Sequence, residues 1–187
     1  MHVCCGPCTL YPLKVLRAEG YEVVAYFHNP NIHPYQEFKR RVDTLETVSK
    51  QTDLRLEIDR DYGMREFLRQ VVPQDRARCG ICYRMRLEKT AALAASQGFD
   101  AFTSTLLYSK YQNHELLIRQ SEELANHARV KFLYRDFRQG WQEGIDRSIE
   151  MDLYRQPYCG CIYSEQERYD NRWKKKMRKA RRGVNKK

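Results

Sequence analysis

The sequence predicts an α/β protein: a parallel sheet of about five strands with helices on both faces. Short apolar runs of strand length recur along the chain, amphipathic helical stretches lie between them, and every strand after the first is reached through a helix. Strands separated in this way pair in parallel through right-handed crossovers. Ligands of such sheets bind at the carboxyl ends of the strands.

The elements follow in order. Met1–Val3 reads as the end of a strand running into a cysteine loop. Thr9–Glu19 carries Leu10, Leu13 and Leu16 at helical spacing, and Gly20 stops it. Glu22–Phe27 is a continuous apolar run of the kind a strand buried on both faces requires. The following His28-Asn-Pro-Asn-Ile-His-Pro34 is expected to be irregular, since its prolines remove donors and restrict the residues before them. Tyr35–Gln51 places Phe38, Val42, Leu45 and Val48 on one helical stripe. Leu54–Ile58 alternates as a strand, and Met64–Val72 is helical up to Pro73. Cys79-Gly-Ile-Cys82 opens a helix over Tyr83–Gln97, closed by Gly98. A strand over Ala101–Leu107, a helix over His114–His127, a strand over Val130–Tyr134 and a helix over Gly140–Leu153 complete the pattern.

Composition narrows the setting. The 187 residues are 42% apolar, enough for one sizeable core. No apolar run approaches the roughly 20 residues of a membrane span, so no membrane role is expected. No export signal follows Met1, so a cytoplasmic location is expected, where thiols stay reduced. The net charge of +10 is concentrated: residues 168–187 hold 11 of the 34 Lys and Arg and one of the 24 acids. The expected organisation is therefore a neutral catalytic domain over 1–167 and a basic tail over 168–187. Such a tail can neutralise phosphates in a salt-dependent, sequence-blind way, and Tyr169 and Trp173 could add stacking. A solvated extension is the plainer reading.

Chemistry concentrates at the expected carboxyl rim. Cys4-Cys5-Gly-Pro-Cys8 follows the first strand, His28-Asn-Pro-Asn the second and Asp136-Phe-Arg138 the fifth, while Cys79 and Cys82 sit in the excursion after the third. Cys5 to Cys8 alone spell a thioredoxin-like dithiol, but that reading leaves Cys4, Cys79 and Cys82 unused. Taken jointly, the clusters suit tetrahedral zinc or an iron–sulfur cluster, which accepts thiolates from distant loops. In Cys159-Gly-Cys161 a single Gly separates two thiols, so a disulfide there would close a strained, labile ring suited to relaying two electrons.

These motifs carry a family likeness. Cys-Cys-x-Pro-Cys8, Asn29-Pro-Asn-Ile32, Cys79-x-x-Cys-Tyr-x-x-Arg86, Phe102-Thr-Ser-Thr-Leu-Leu-Tyr-Ser-Lys-Tyr-Gln112, Asp136-Phe-Arg and Tyr154-Arg-Gln-Pro-Tyr-Cys-Gly-Cys161 together resemble the QueH type of epoxyqueuosine reductase, from about Val3 to Ser164. The resemblance implies a Rossmann-like sheet of the nucleotide-hydrolase-like superfamily, with a cysteine loop where ATP-using relatives carry a phosphate loop. It implies two-electron deoxygenation of epoxyqueuosine to queuosine at the tRNA wobble position, with an unidentified electron donor and without cobalamin. Cys4, Cys5, Cys79 and Cys82 would ligate a [4Fe–4S] cluster, and Cys159 and Cys161 would form the redox-active pair. Cys8 would lie just outside the ligand set or bind an additional iron. Asp136 is a candidate carboxylate ligand or acid, with helix capping its structural alternative. Further proton-donor candidates are His28, Tyr108 and Tyr111. Tyr83, Tyr108, Tyr111 and Tyr158 are candidates for base stacking, and Arg84, Arg86, Lys110 and Arg138 for phosphate contacts. Two rival functions are a cluster-dependent tRNA sulfur transferase, which would need ATP, and a zinc-stabilised RNA-binding module.

Overall fold

One residue ties the sheet together. His2 donates its backbone N–H to Thr103 O and accepts from Thr105 N, while Tyr26 N donates to Met1 O and Val3 N to Tyr26 O. In the computed structural model, which describes residues 1–175, these bonds place His2 between two parallel pairs. Strand β1 (Val24–Phe27) pairs with β2 (Arg55–Ile58), and β3 (Ala101–Phe102) pairs with β4 (Lys131–Phe132). His2 forms a parallel bridge to Tyr26 on one side and to Ser104 on the other.

The pairing is parallel as expected, but the regular strands are short: two two-stranded parallel sheets, bridged at His2, stand where one sheet of about five strands is expected. The cause is local. Helix α1 (Gly6–Ala18) begins almost at once after His2, with Pro7 in its first turn, where a missing N–H costs nothing. The strand expected to run to Leu107 ends at Phe102, because the Ser104 side chain accepts from Leu106 N and turns Thr105–Tyr108 into a 3-10 helix.

The remaining helices are α2 (Tyr35–Thr52), α3 (Met64–Val71), α4 (Arg78–Ser96), α5 (His114–Ala128), α6 (Trp141–Glu150) and α7 (Ile162–Tyr169). Helix α4 starts ahead of its expected start at Tyr83, so Cys79 and Cys82 are helical, not loop residues. Helix α7 was not anticipated, and it runs across the expected boundary at residue 167. Residues 176–187, most of the basic tail, lie outside the described residues. None of the described helices is long and apolar enough to cross a membrane.

Helix α1 packs on α2 and α6, while α4 packs on α3 and α5. Between them lies a core that includes Val3, Ala25, Phe27, Leu45, Leu87 and Phe102, all fully buried. Each large apolar side chain removed from water there contributes about 1.5–3 kcal/mol. The α1–α2 approach depends on Gly6, where a Cβ would stand 2.8 Å from Thr44 Cγ2. That closeness holds the cysteine segment against the body of the protein.

Candidate metal centre and cavity

The first segment ends at Cys4, Cys5 caps α1, and Cys8 lies in the first turn. Their three sulfurs lie within 4.8 Å of one another, with Cys4 Sγ and Cys5 Sγ 3.8 Å apart. Cys5 is buried; Cys4 and Cys8 are half-buried. Thr105 Oγ1 donates to Cys4 Sγ at 3.6 Å and Gln156 Nε2 to Cys8 Sγ at 3.3 Å. Hydrogen bonds from the Cys5 and Cys8 thiols pull the Cys4 thiol well below its ordinary pKa, aided by the positive charge of Arg86. The cost falls on its partners: burial raises Cys5, and the bonds to Cys4 raise Cys8. One negative charge is thus favoured within the triad, beside a helix N-terminus that stabilises it. Three soft sulfur donors at this spacing fit a thiophilic metal centre.

The expected ligand set is only partly gathered in this group. Cys79 and Cys82 lie outside the triad. They occupy the first turns of α4, Cys79 exposed and Cys82 buried. Burial pushes the Cys82 thiol up to about 12. Arg86, itself 2% exposed, connects the two places. Its Nη1 lies 3.7 Å from Cys82 Sγ and its Nε 3.3 Å from His2 Nε2. Its charge acts on both Cys82 and Cys4. This buried role also withdraws Arg86 from the phosphate contacts expected of it. Arg84 faces Glu123, and Arg138 is paired with Asp136.

Among the described residues all seven cysteines are free, Cys159 and Cys161 included. Gln112 Nε2 donates to Cys159 Sγ at 3.4 Å, while Cys161 caps α7 by accepting from Ser164 N. The loop carrying them is held from two sides. Arg41 Nη1 donates to Cys159 O and Nη2 to Tyr158 O, each at 2.9 Å. His33 N donates to Gly160 O at 2.8 Å, and the Tyr158 hydroxyl donates to His33 O. Gly160 has φ +150°, and a Cβ there would stand 3.0 Å from Asn31 Nδ2. The Asn29-Pro-Asn-Ile-His33 segment is therefore the seat of the Cys159–Cys161 loop. Asn29 also anchors it to the cysteine segment by donating to Val3 O.

Asp136 behaves as a cap. It accepts from Arg138 N at the start of the 3-10 turn Phe137–Gly140, and pairs with the Arg138 guanidinium. The hydrogen bonds from Arg138 hold its carboxyl at about 2. A carboxyl held that low is ionised at neutral pH and accepts hydrogen bonds from the Arg138 backbone and guanidinium. His28 is engaged with Asp59 at 2.9 Å.

A cavity of about 580 Å³ opens beside the triad, with Cys4, Cys8 and Cys159 in its lining. Its wall is aromatic: Tyr108, Tyr111, Trp141 and Tyr158. Tyr108 is buried and donates to Trp141 O, and the Tyr83 hydroxyl is buried against Gln112. Tyr111, by contrast, is 83% exposed. Sequence reasoning missed Arg41, Gln156 and Trp141 as site residues. Arg41 carried a faint signal, a Glu37–Arg41 pair at helical spacing on a stripe that otherwise reads as core. Trp141 carried none.

The profile of the epoxyqueuosine reductase QueH family matches residues 1–167. The chain belongs to the QueH family. It is 38% identical over 90% of its length to the epoxyqueuosine reductase QueH of Dehalococcoides mccartyi, covering 93% of that protein. The QueH protein of Streptococcus pyogenes serotype M1 is 34% identical over 88% of this chain and 69% of its own length. That of Thermotoga maritima is 31% identical over 90% of both chains. Membership fits a triad of thiols beside a cavity.

Proposed function

We propose that this chain is an oxidoreductase that converts epoxyqueuosine to queuosine at the wobble position of tRNA. The observation that carries the reading is the convergence of Cys4, Cys5 and Cys8 beside an aromatic-walled cavity, in a chain whose named relatives are epoxyqueuosine reductases. The reaction balances as two electrons and two protons added to the epoxide: both C–O bonds break, a C=C bond forms, and the oxygen leaves as water. The electrons come from a reductant supplied from outside, and cobalamin has no part in this reading.

The resident group is proposed to be a [4Fe–4S] cluster held by Cys4, Cys5, Cys79 and Cys82. When bound, it would supply electrons one at a time. Cys8 is proposed to ligate an additional iron, a reading supported by its sulfur lying within 4.8 Å of those of Cys4 and Cys5. Arg86 stands between the Cys4 and Cys82 sites and offsets the charge that thiolate ligands accumulate. Cys159 and Cys161 are proposed as the dithiol that replenishes the site. Gln112 supports the reduced state by donating to Cys159 Sγ. The two parallel sheets bridged at His2 are read as a short-stranded form of the five-stranded, Rossmann-like arrangement of the nucleotide-hydrolase-like superfamily, with the cysteine segment in place of a phosphate loop.

The test is metal and sulfide analysis of anaerobically purified protein, followed by assay on tRNA bearing epoxyqueuosine. Brown protein holding iron and sulfide, with queuosine formed in step with reductant consumed, is the expected result. Colourless protein with one zinc and no turnover would overturn the reading in favour of an RNA-binding module.

A further inference from the structure

We infer that Trp141 is the stacking platform for one extruded nucleobase, with Tyr111 standing edge-on beside it as a side wall, so that the epoxide-bearing substituent reaches across the cavity toward the thiols. The inference deepens the tRNA reading above and rests on it.

The indole is positioned by a built feature. Tyr108 stacks on Trp141 with ring centroids 5.2 Å apart and planes 27° apart, and its hydroxyl donates to Trp141 O at 2.9 Å. That fit requires Gly144: a Cβ there would stand 2.2 Å from Tyr108 Oη. Gly140, one turn earlier, is likewise filled by the Tyr11 ring, 2.1 Å from where its Cβ would be. Gly140, the cap of α6, and Gly144 within it thus admit two tyrosines and set where Trp141 enters the cavity.

Tyr111 is the opposite case. It lies edge-on to Trp141 at 5.7 Å and 78°, yet it remains 83% exposed. A large ring left in water beside a second ring has apolar surface to gain by covering a ligand. Lys110 Nζ stands 5.7 Å from the Trp141 ring centroid, and Arg155 and Arg168 are exposed in the cavity lining. Flat aromatic faces with cations around them match an unstacked base and its flanking phosphodiesters. Cys4, Cys8 and Cys159 line the same cavity, so a base on the aromatic wall has thiols within the space its substituent enters.

The platform is tested by intrinsic fluorescence and binding. Titrating the protein with an anticodon stem-loop RNA bearing epoxyqueuosine should quench indole emission. Trp173→Phe should retain that quench and Trp141→Phe should lose it, which assigns the signal between the two tryptophans of the chain. Trp141→Ala should weaken RNA binding about 5- to 150-fold, the range produced by losing one base stack. Trp141→Phe, which keeps a ring, should recover most of that loss, and matching melting curves verify folding. RNA that binds and is reduced without changing Trp141 emission overturns the platform and leaves the reductase reading standing. So does Trp141→Ala protein, folded, binding as tightly as wild type. An intact quench without any epoxide reduction by iron-loaded protein supplied with a low-potential reductant overturns the reductase reading and leaves the platform.

Discussion

Removing the Arg41 guanidinium should destabilise the protein strongly, because this buried group holds the Cys159–Cys161 loop. Arg41 is 1% exposed and Glu37 5%. Arg41 Nε donates to Glu37 Oε1 at 2.7 Å, its two other nitrogens satisfy the carbonyls of Tyr158 and Cys159, and its Cζ lies 5.9 Å from the Tyr158 ring centroid. Arg41→Met keeps the bulk but leaves a buried carboxylate with only the Tyr154 hydroxyl as partner, together with two orphaned carbonyls. Breaking a buried pair from one side costs about 3–5 kcal/mol, and an orphaned buried acceptor costs about 1–3 kcal/mol. These effects overlap, so about 4 kcal/mol is expected for Arg41→Met as a whole. At about 2–4 °C per kcal/mol for a chain of this size, the melting temperature should fall by about 8–16 °C. The assay is thermal and urea unfolding of wild type, Arg41→Met, Glu37→Leu and the double variant. Because the second substitution removes the stranded charge, the double variant should recover about 2 kcal/mol relative to additivity. Hydrogen exchange at Tyr158–Gly160 should accelerate in Arg41→Met, since the loop loses its clamp. A melting shift under about 2 °C, or simple additivity in the cycle, would refute the claim that this pair holds the Cys159–Cys161 loop.

Four further outcomes are expected. Gly144→Ala drives a methyl into Tyr108 Oη, 2.2 Å from the Cβ position; such overpacking costs about 1–3 kcal/mol, read as a lower melting temperature and altered tryptophan emission. Cys4→Ser should lose most bound iron, whereas Cys159→Ser should keep its iron but stall turnover; iron content and queuosine yield measured together separate the two roles. Burial holds the pKa of His33 below its ordinary 6.5, so the folded state binds fewer protons than the unfolded chain. Its stabilising contribution is therefore present above pH 6.5 and is lost as the pH falls below it, by at most about 1.4 kcal/mol per pH unit, and His33→Gln should flatten that part of the stability profile in urea unfolding. Residues 176–187 carry seven Lys and Arg and no acid; deleting them should weaken tRNA binding at low salt and lower the salt slope, and an unchanged slope would mark them as idle.

Much of the fold was legible because its signals are local. The apolar run ending at Phe27, the stripe Phe38–Val42–Leu45–Val48 and the prolines of residues 28–34 each act over a few residues, and β1, α2 and the irregular loop appear where they predict. Element ends were less legible. Ser104 turning onto Leu106 N shortened β3, and Pro7 admitted helix directly after Cys5. These outcomes turn on single side chains competing for backbone donors, which periodicity does not register.

The sequence by itself determined which atoms are available: seven thiols in three tight groups, the prolines and glycines that keep their segments irregular or tight, and motifs enough to place the family. Tertiary structure alone decided which of them meet. It set Arg86, buried, against Cys82 and within reach of Cys4, seated the Cys159–Cys161 loop on Arg41, and brought Trp141 to the cavity through a space that Gly144 leaves open. The physical reason is that a thiol's partners, a guanidinium's burial and a ring's exposure depend on segments far apart in the chain, and their distances are fixed only once the core has packed.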